Sequence, residues 1–466
     1  MKRTETTEGG HSCPPRKVGT IPTEIGTIAA DWRIAPLDAV CEPPQYGFTA
    51  SAEAKGNVRF LRITDITDSG VKWPTVPFCE CPEKELGKYR LAPGDIVFAR
   101  IGATTGKSYL ITNPPPSVFA SYLIRVRTKR EIDPIFLSQF FRSDAYWRQV
   151  DAQKNANLKK GVSGSLLKTL LVPVPPLSEQ RKIAGVLGVV QRAMEQQERL
   201  LALTAELKKA LLHKLFTEGL RGEPQKQTEI GPVPESWDIR ALGDHLTEAQ
   251  YGISIKGAET GRYPVLRMTN QKQGQISGAN LQYVDLSPVQ LEKFRVDRQD
   301  ILFNRTNSLE LVGRTAIFDL EGDFVFASYL IRLRTDAARI RPFFLNHYFN
   351  WDETQVRLKS IATRAVSQSN ISATRLKGFP VPVPSPEEQD KIVTRIDCVV
   401  RKLSVHQRKH AVLTALFRTL LHQLMTAHIR VHDLDLEGLL AQAEREFGAS
   451  GSPKLQQPVA EMERTQ

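Results

Sequence analysis

The sequence predicts a mixed α/β (α+β) fold: two similar globular domains, each followed by a long helix, the helices pairing as an antiparallel coiled coil with pseudo-two-fold symmetry. Three observations carry this. "FASYLIRVR" (Phe119–Arg127) returns almost unchanged as "FASYLIRLR" (Phe326–Arg334), 207 positions later. The match extends along the chain at nearly constant offset. Each copy also ends in about forty residues of coiled-coil periodicity. A short period would mean a solenoid, whereas one this long means two whole domains.

Taken in order, Glu24-Ile25-Gly26 matches Glu229-Ile230-Gly231, Trp32 matches Trp237, and Tyr46-Gly47 matches Tyr251-Gly252, all at an offset of 205. Leu61-Arg62 with Leu266-Arg267, and "DIVFAR" (Asp95–Arg100) with "DILFNR" (Asp300–Arg305), keep that offset. It slips to 207 at the opening motif and to 209 at "VPVP" (Val172–Pro175 and Val381–Pro384). From there it holds through "LLHKL" (Leu211–Leu215) and "LLHQL" (Leu420–Leu424). Insertions are confined to 100–172, where loops absorb them. A helix would lose its register, so the invariant end of each copy reads as helical.

Within the globular parts, "VRFLRIT", "DIVFARI" and "FASYLIRVR" are β-rich runs bounded by Gly, Pro and Asp. In the last of these, Arg125 and Arg127 share one face and Ile124 and Val126 the other, the pattern of a half-buried strand. Ile132–Val150 and its counterpart Ile340–Leu358 have helical periodicity with a proline near the start. Ser385-Pro386-Glu387-Glu388 reads as a capping box opening the second long helix, and the first stops at Gly219.

Alternate steps of four and three give one seam of Ile183, Leu187, Val190, Met194, Gln197, Leu201, Thr204, Lys208, Leu211 and Leu215. The other is Ile392, Ile396, Val399, Leu403, His406, His410, Leu413, Phe417, Leu420 and Leu424. Their apolar members are the expected interface between the helices, interrupted by polar residues midway. The alternative is that each helix packs only on its own domain. The expected division is an N-terminal extension at 1–23, a globular domain at 24–176, a central helix at 177–217 and a linker at 218–228. A second globular domain at 229–384, a distal helix at 385–426 and a tail at 427–466, partly helical and then disordered, complete the chain. The linker is short, so the second domain is expected near the far end of the central helix. The distal helix then returns, bringing the tail beside the start of the first domain.

Lys and Arg number 63 against 51 Asp and Glu, a net charge of +12 that suits a polyanionic partner, nucleic acid before membrane. No run of apolar residues is long enough for a membrane helix, and "MKRTETTEGG" has no apolar stretch behind it to make a secretory signal. The scattered cysteines (Cys13, Cys41, Cys79, Cys81 and Cys398) argue for a reducing cytoplasm rather than a disulfide framework or a metal site. "GATTGKS" (Gly102–Ser108) lacks the first glycine of a phosphate loop, where Ile101 stands. "NPPP" (Asn113–Pro116) lacks the final aromatic of an adenine methyltransferase motif. The chain reads as non-catalytic.

Polar and basic loop residues remain. Arg100 ends a strand and opens a loop with Thr104, Thr105 and Lys107. Arg305 does the same before Thr306, Asn307 and Arg314. A second loop precedes each "VPVP" strand, carrying Lys159 and Lys160 in the first copy and Arg364, Gln368 and Asn370 in the second. Guanidinium, amide and hydroxyl groups on such loops suit base edges and phosphates. The structural alternatives are a local pair of Arg100 with Asp95 and, for the second loops, simple solvation.

"GDIVFARIGATTGKSYLI", "FASYLIRVR", "VPVPPLSEQRKI" and "KALLHKLFTEG", with their second-copy versions, resemble the specificity subunit of type I restriction–modification enzymes over about residues 24–426. The resemblance implies that each globular part is a target-recognition domain reading one half of a split sequence in double-stranded DNA. It implies a helix pair that sets the spacer and docks two methyltransferase (modification) subunits, with restriction (motor–nuclease) subunits outside. S-adenosylmethionine, ATP and Mg would then serve those partners and not this chain. Other readings are a stand-alone DNA-binding regulator and a scaffold using the long helices.

Overall fold

The computed structural model describes residues 19–67, 70–156, 161–364 and 368–431, without the side chains of 153–156. Two compact units emerge. Unit 1 runs to Glu198 and resumes at Arg408, and unit 2 is Arg199–Gln407. Each long helix therefore contributes its two halves to different units.

In unit 1 an antiparallel sheet takes the order Ser108–Leu110, Ile96–Ala99, Leu123–Val126, Gln45–Tyr46. Alternation along its strands sends Ile96, Phe98, Ile124 and Val126 into a core shared with the helices Pro134–Phe140 and Asp144–Ala156. Val97 and Leu123 point the other way, against a second sheet in which Ser117–Phe119 runs parallel to Val58–Leu61. The unit thus has three layers, helices, sheet and sheet. Unit 2 repeats the plan. Ile301, Phe303, Ile331 and Leu333 face the helix Pro342–Phe349, while Leu302 and Leu330 meet Leu266 and Phe326 of a second sheet.

Three details differ from the sequence reading. The Phe119–Arg127 motif is not one strand: it turns at Ser121-Tyr122 between Ser117–Phe119 and Leu123–Val126. The expected single helices break at Arg142-Ser143 and at Asn350-Trp351, giving two helices each. The strand Leu123–Val126 is buried on both faces, Arg125 included, because sheets cover one side and helices the other.

Arg125 is only 4% exposed, and its guanidinium lies 3.5 Å from the carboxylate of buried Asp95. It donates to Arg90 O (2.8 Å) and Lys88 O (3.0 Å), and to Gln45 Oε1. Arg127 takes the other side of Asp95 at 2.7 Å. In unit 2 Arg332 and Arg334 bracket Asp300 in the same way, with Arg332 donating to Arg295 O, Gln250 and Glu248. Burial pushes Arg125 down from the usual guanidinium range, and Asp95 opposes the shift. Burial pushes the Asp300 carboxyl up, opposed by backbone hydrogen bonding and by Arg334 and Arg332. Paired this way the charges are tolerated inside, whereas either one alone would be costly.

The central helix is Leu177–Thr217 and the distal helix Pro386–Met425, 41 and 40 residues, each about 60 Å at ~1.5 Å per residue. In unit 1, Ile183, Ala184 and Leu187 share a core with Phe417, Leu421, Leu424 and Met425, and Glu198 meets His410 at 3.2 Å. Early residues of one helix lie against late residues of the other, so the segments are antiparallel. In unit 2, Leu212, Leu215 and Phe216 share a core with Ile392 and Ile396. Every seam position is buried or half-buried: Val190, Met194, Leu201, Leu211, Val399, Leu403, Leu413 and Leu420 are half-buried, while Leu203 and Leu207 beside them are exposed. The helices do not pack independently.

The helix starts explain why both copies spell Glu-Gln. Gln180, fully buried, donates through Nε2 to Pro175 O (2.8 Å) and Glu131 O (3.0 Å) and accepts from Asp133 N (2.7 Å). Gln389 does the same with Pro384 O (2.9 Å), Arg339 O (2.9 Å) and Arg341 N (2.7 Å). One amide ties the first turn of a long helix to the segment leading into a domain helix. The preceding glutamates reach elsewhere. Glu388 accepts from Leu220 N just beyond the central helix, so it does not close the expected capping box, although Ser385 Oγ accepts from Glu388 N. Glu179 accepts from Arg430 just beyond the distal helix, and Arg430 also pairs with Asp31 at 2.8 Å. The start of the tail therefore lies beside the start of the first domain, as expected, and Ala427 and Val431 join its core. Residues 1–18 of the extension and 432–466 of the tail lie outside the described residues. The linker holds a strand, Gln225–Thr228, paired with Gly231–Pro234.

Replacing Gln389 by leucine leaves two buried carbonyls and one amide without partners, at about 1–3 kcal/mol for each group. The expected outcome is a loss of roughly 3 kcal/mol or more in unit 2, seen as faster amide hydrogen exchange at the start of the distal helix.

Candidate nucleic-acid interface

The strands Val58–Leu61 and Ser117–Phe119 run parallel and finish together, with Ala120 N donating to Leu61 O (2.9 Å). The turn that follows puts Tyr122 O against Arg100 N (3.0 Å), at the end of Ile96–Ala99. Gln45–Tyr46 completes this edge, since Tyr46 pairs with Ile124. The next residue must be glycine: a Cβ on Gly47 would lie 2.2 Å from Ala120 O, and one on Gly252 would lie 2.2 Å from Phe326 O. The same end of the sheets in unit 2 carries Arg267, Tyr329, Arg305 and Tyr251.

The Arg100 guanidinium stacks 4.9 Å above the Tyr46 ring, and Arg305 stacks 4.5 Å above Tyr251. Each tyrosine is itself anchored: Tyr46 Oη accepts from Gly164 N (2.9 Å) and Tyr251 Oη from Ala373 N (2.8 Å). Arg100 O accepts from Val162 N, and Arg305 O from Ile371 N. The two loops singled out in each copy are therefore bound to one another through the arginine and the tyrosine. Arg100 does not pair with Asp95, whose carboxylate is taken by Arg125 and Arg127. Stacking holds a guanidinium by its face and does not consume its in-plane donors; Arg305 Nη1 donates to Ser328 O (3.4 Å).

Around Arg100, Thr104 is half-buried and Lys107 exposed, while Thr105 is buried and its hydroxyl donates to Gly102 O (2.6 Å), serving the turn. Lys159 and Lys160 lie outside the described residues. Around Arg305 a small sheet joins Thr306-Asn307, Ser369-Asn370 and Thr363-Arg364. Thr306 Oγ1 donates to Asn370 Oδ1 (3.1 Å), Asn307 contacts Met268, and Arg364, Gln368 and Arg314 are exposed. Arg305 Nε is buried without a hydrogen-bond partner among the described residues.

Sequence reasoning did not select Tyr46, Tyr122, Tyr251 or Tyr329 as site residues. All are well exposed (39–56%), although Tyr46 and Tyr251 are anchored through their hydroxyls. The signal was present for Tyr46 and Tyr251, since they lie in a Tyr-Gly pair that is repeated in both copies, each after a glutamine. For Tyr122 and Tyr329 it was hidden by reading the nine-residue motif as one strand.

Each unit thus carries the same three-layer domain, closed by halves of two antiparallel helices, with an Arg–Tyr stack among its loops. The chain matches the family model described as type I restriction modification DNA specificity domain twice, over residues 30–205 and 234–415, and it belongs to that family. The EcoKI specificity subunit of Escherichia coli K12 is 23% identical over 466 residues, covering 92% of this chain and 98% of the relative. The MjaX specificity subunit relative of Methanocaldococcus jannaschii is 30% identical over 210 residues, 44% of this chain and about half (49%) of that protein. The crystal structure of the type I restriction-modification system S subunit from M. genitalium has the same fold, with a TM-score of 0.56 and 16% identity over 84% of this chain and 96% of that one. Among the described residues no helix is long and apolar enough to cross a membrane.

Tyr251→Phe keeps the ring under Arg305 and removes the acceptor for Ala373 N. Loss of one hydrogen bond, ~1 kcal/mol, predicts amide exchange at Ala373 faster by about fivefold, with little change in the central sheet.

Proposed function

We propose that this chain is the DNA-recognition subunit of a type I restriction–modification complex. Each head reads one half of a bipartite, asymmetric target in double-stranded DNA. The helix pair sets the spacer and docks two methyltransferase subunits. Methyl transfer from S-adenosylmethionine and cleavage driven by ATP with Mg belong to those subunits and to motor–nuclease subunits, in the cytoplasm.

The observation that carries this reading is the recurrence of one Arg–Tyr platform, Arg100 on Tyr46 and Arg305 on Tyr251, within loops of different sequence. The shared part suits a common task, holding the backbone of a polyanion. The unshared part, Thr104 and Lys107 against Asn307, Gln368 and Asn370, suits two different base sequences, with exposed Arg364 beside it suited to a phosphate. Support for docked partners comes from apolar side chains left open on the helices, with Leu203 57%, Leu207 52% and Val412 66% exposed.

Sequencing of adenine methylation in host DNA, with and without the gene, tests the reading. Loss of a two-part motif with a fixed gap is the expected outcome, and survival of every methylated motif would leave the regulator or scaffold in its place. At finer scale, Arg364→Ala is expected to weaken binding uniformly across sequences and to lower the slope of log affinity against log salt by about 1, as removal of one phosphate contact does.

A further inference from the structure

Arg62 follows the strand Val58–Leu61, at the sheet end that also carries Tyr122 and Arg100. Its side chain is 40% exposed, whereas that of Asp65 is only 9% exposed. The carboxylate grips the side edge of the guanidinium with two bonds, Arg62 Nε to Oδ2 at 3.1 Å and Nη2 to Oδ1 at 2.8 Å. Asp65 Oδ2 also accepts from Arg62 N (2.9 Å), so the clamp is fixed to the backbone that it orients. A guanidinium has five donors in a rigid plane. Two are used by Asp65, and the end edge formed by Nη1 and Nη2 remains. That edge matches the paired acceptors O6 and N7 of guanine in the major groove.

The second head offers an internal contrast. Arg267 occupies the matching place, but its counterpart to Asp65 is Asn270, 1% exposed, whose amide is spent on Ser277 O and Ala279 O. Asn270 Oδ1 accepts from Arg267 N, as Asp65 does from Arg62 N, but among the described residues no carboxylate grips the guanidinium; Arg267 Nη2 donates instead to Asn280 O. The backbone turn is thus common to both heads, and the side-chain clamp belongs to the first alone. A clamp that the turn does not need, on a half-exposed arginine at the recognition edge, fits a base reader.

We infer that Arg62, held by Asp65, is a specificity-determining residue that reads a guanine in the half-site of the first head. The inference rests on the recognition function proposed above. The clamp makes the arginine selective rather than merely attractive. It removes the rotamer freedom that an unclamped side chain would lose on binding, and it offsets the charge that would otherwise favour any phosphate.

The test uses the assembled complex of this chain with its methyltransferase subunits. Competition binding is measured on duplexes carrying each single base-pair change in the methylated motif. Arg62→Ala and Arg62→Lys are expected to lose about tenfold to a hundredfold of the discrimination at one G·C pair of one half-site, leaving the other half-site unchanged. Asp65→Asn is expected to weaken the same discrimination and no other. Lysine keeps the charge but cannot form the planar pair of bonds, so this variant decides the matter if the alanine variant assembles poorly. An unchanged discrimination profile overturns the inference. So does a uniform loss of affinity with a shallower salt dependence, which would make Arg62 a phosphate contact. If the unmodified complex itself shows no sequence preference, the recognition function fails first.

Discussion

The buried glutamine at the start of each long helix is the constraint on which the rest of each unit depends. A helix of forty residues with one apolar seam gains little alone, and it becomes useful only if its direction relative to a head is fixed. Gln180 and Gln389 fix it with a side chain that both donates and accepts. A glutamate at either place could not donate, and a lysine could not accept, so only an amide satisfies all three main-chain groups. The neighbouring Glu179 and Glu388 then join the residues just past the end of the other helix, Arg430 in unit 1 and Leu220 in unit 2. Each helix start is thus tied to a head and to the exit of its partner helix.

The buried ion clusters act at the other end of the central sheets. Arg125 and Arg127 about Asp95, and Arg332 and Arg334 about Asp300, are conspicuous positive charges in the sequence, yet each is paired with a buried carboxylate. Their use is to hold neighbouring strands and the preceding loop in one register, since Arg125 binds Gln45, Lys88 O and Arg90 O together. With that end fixed, the opposite end can present Arg100, Tyr122 and Arg62 on short turns without losing their geometry. Arg125 and Arg332, on strands covered from both sides, are buried, whereas Arg100 and Arg62, which follow strands at the opposite end, keep part of their surface exposed.

The duplication, the mixed fold, the two long helices and the seam positions were legible because each is a pattern along one dimension: a repeat, an alternation or a heptad. Ile183, Leu187, Phe417 and Leu424 pack as their spacing implies. The site was legible only in part. Arg100, Arg305, Asn307 and Asn370 stand out as polar residues on loops, and the structure brings each pair of loops together. Which groups touch was not readable, since Tyr46 and Arg100 are distant in sequence and meet only because Gly47 lets the chain pass against Ala120. Burial of Arg125 was equally hidden, because strand alternation cannot say whether one face or both will be covered. The sequence by itself determined what repeats and which helical faces are apolar, because periodicity is local chemistry counted along the chain. Only the tertiary structure decided which arginines are buried and which remain at the surface, because that depends on the layers and carboxylates that long-range folding brings around them.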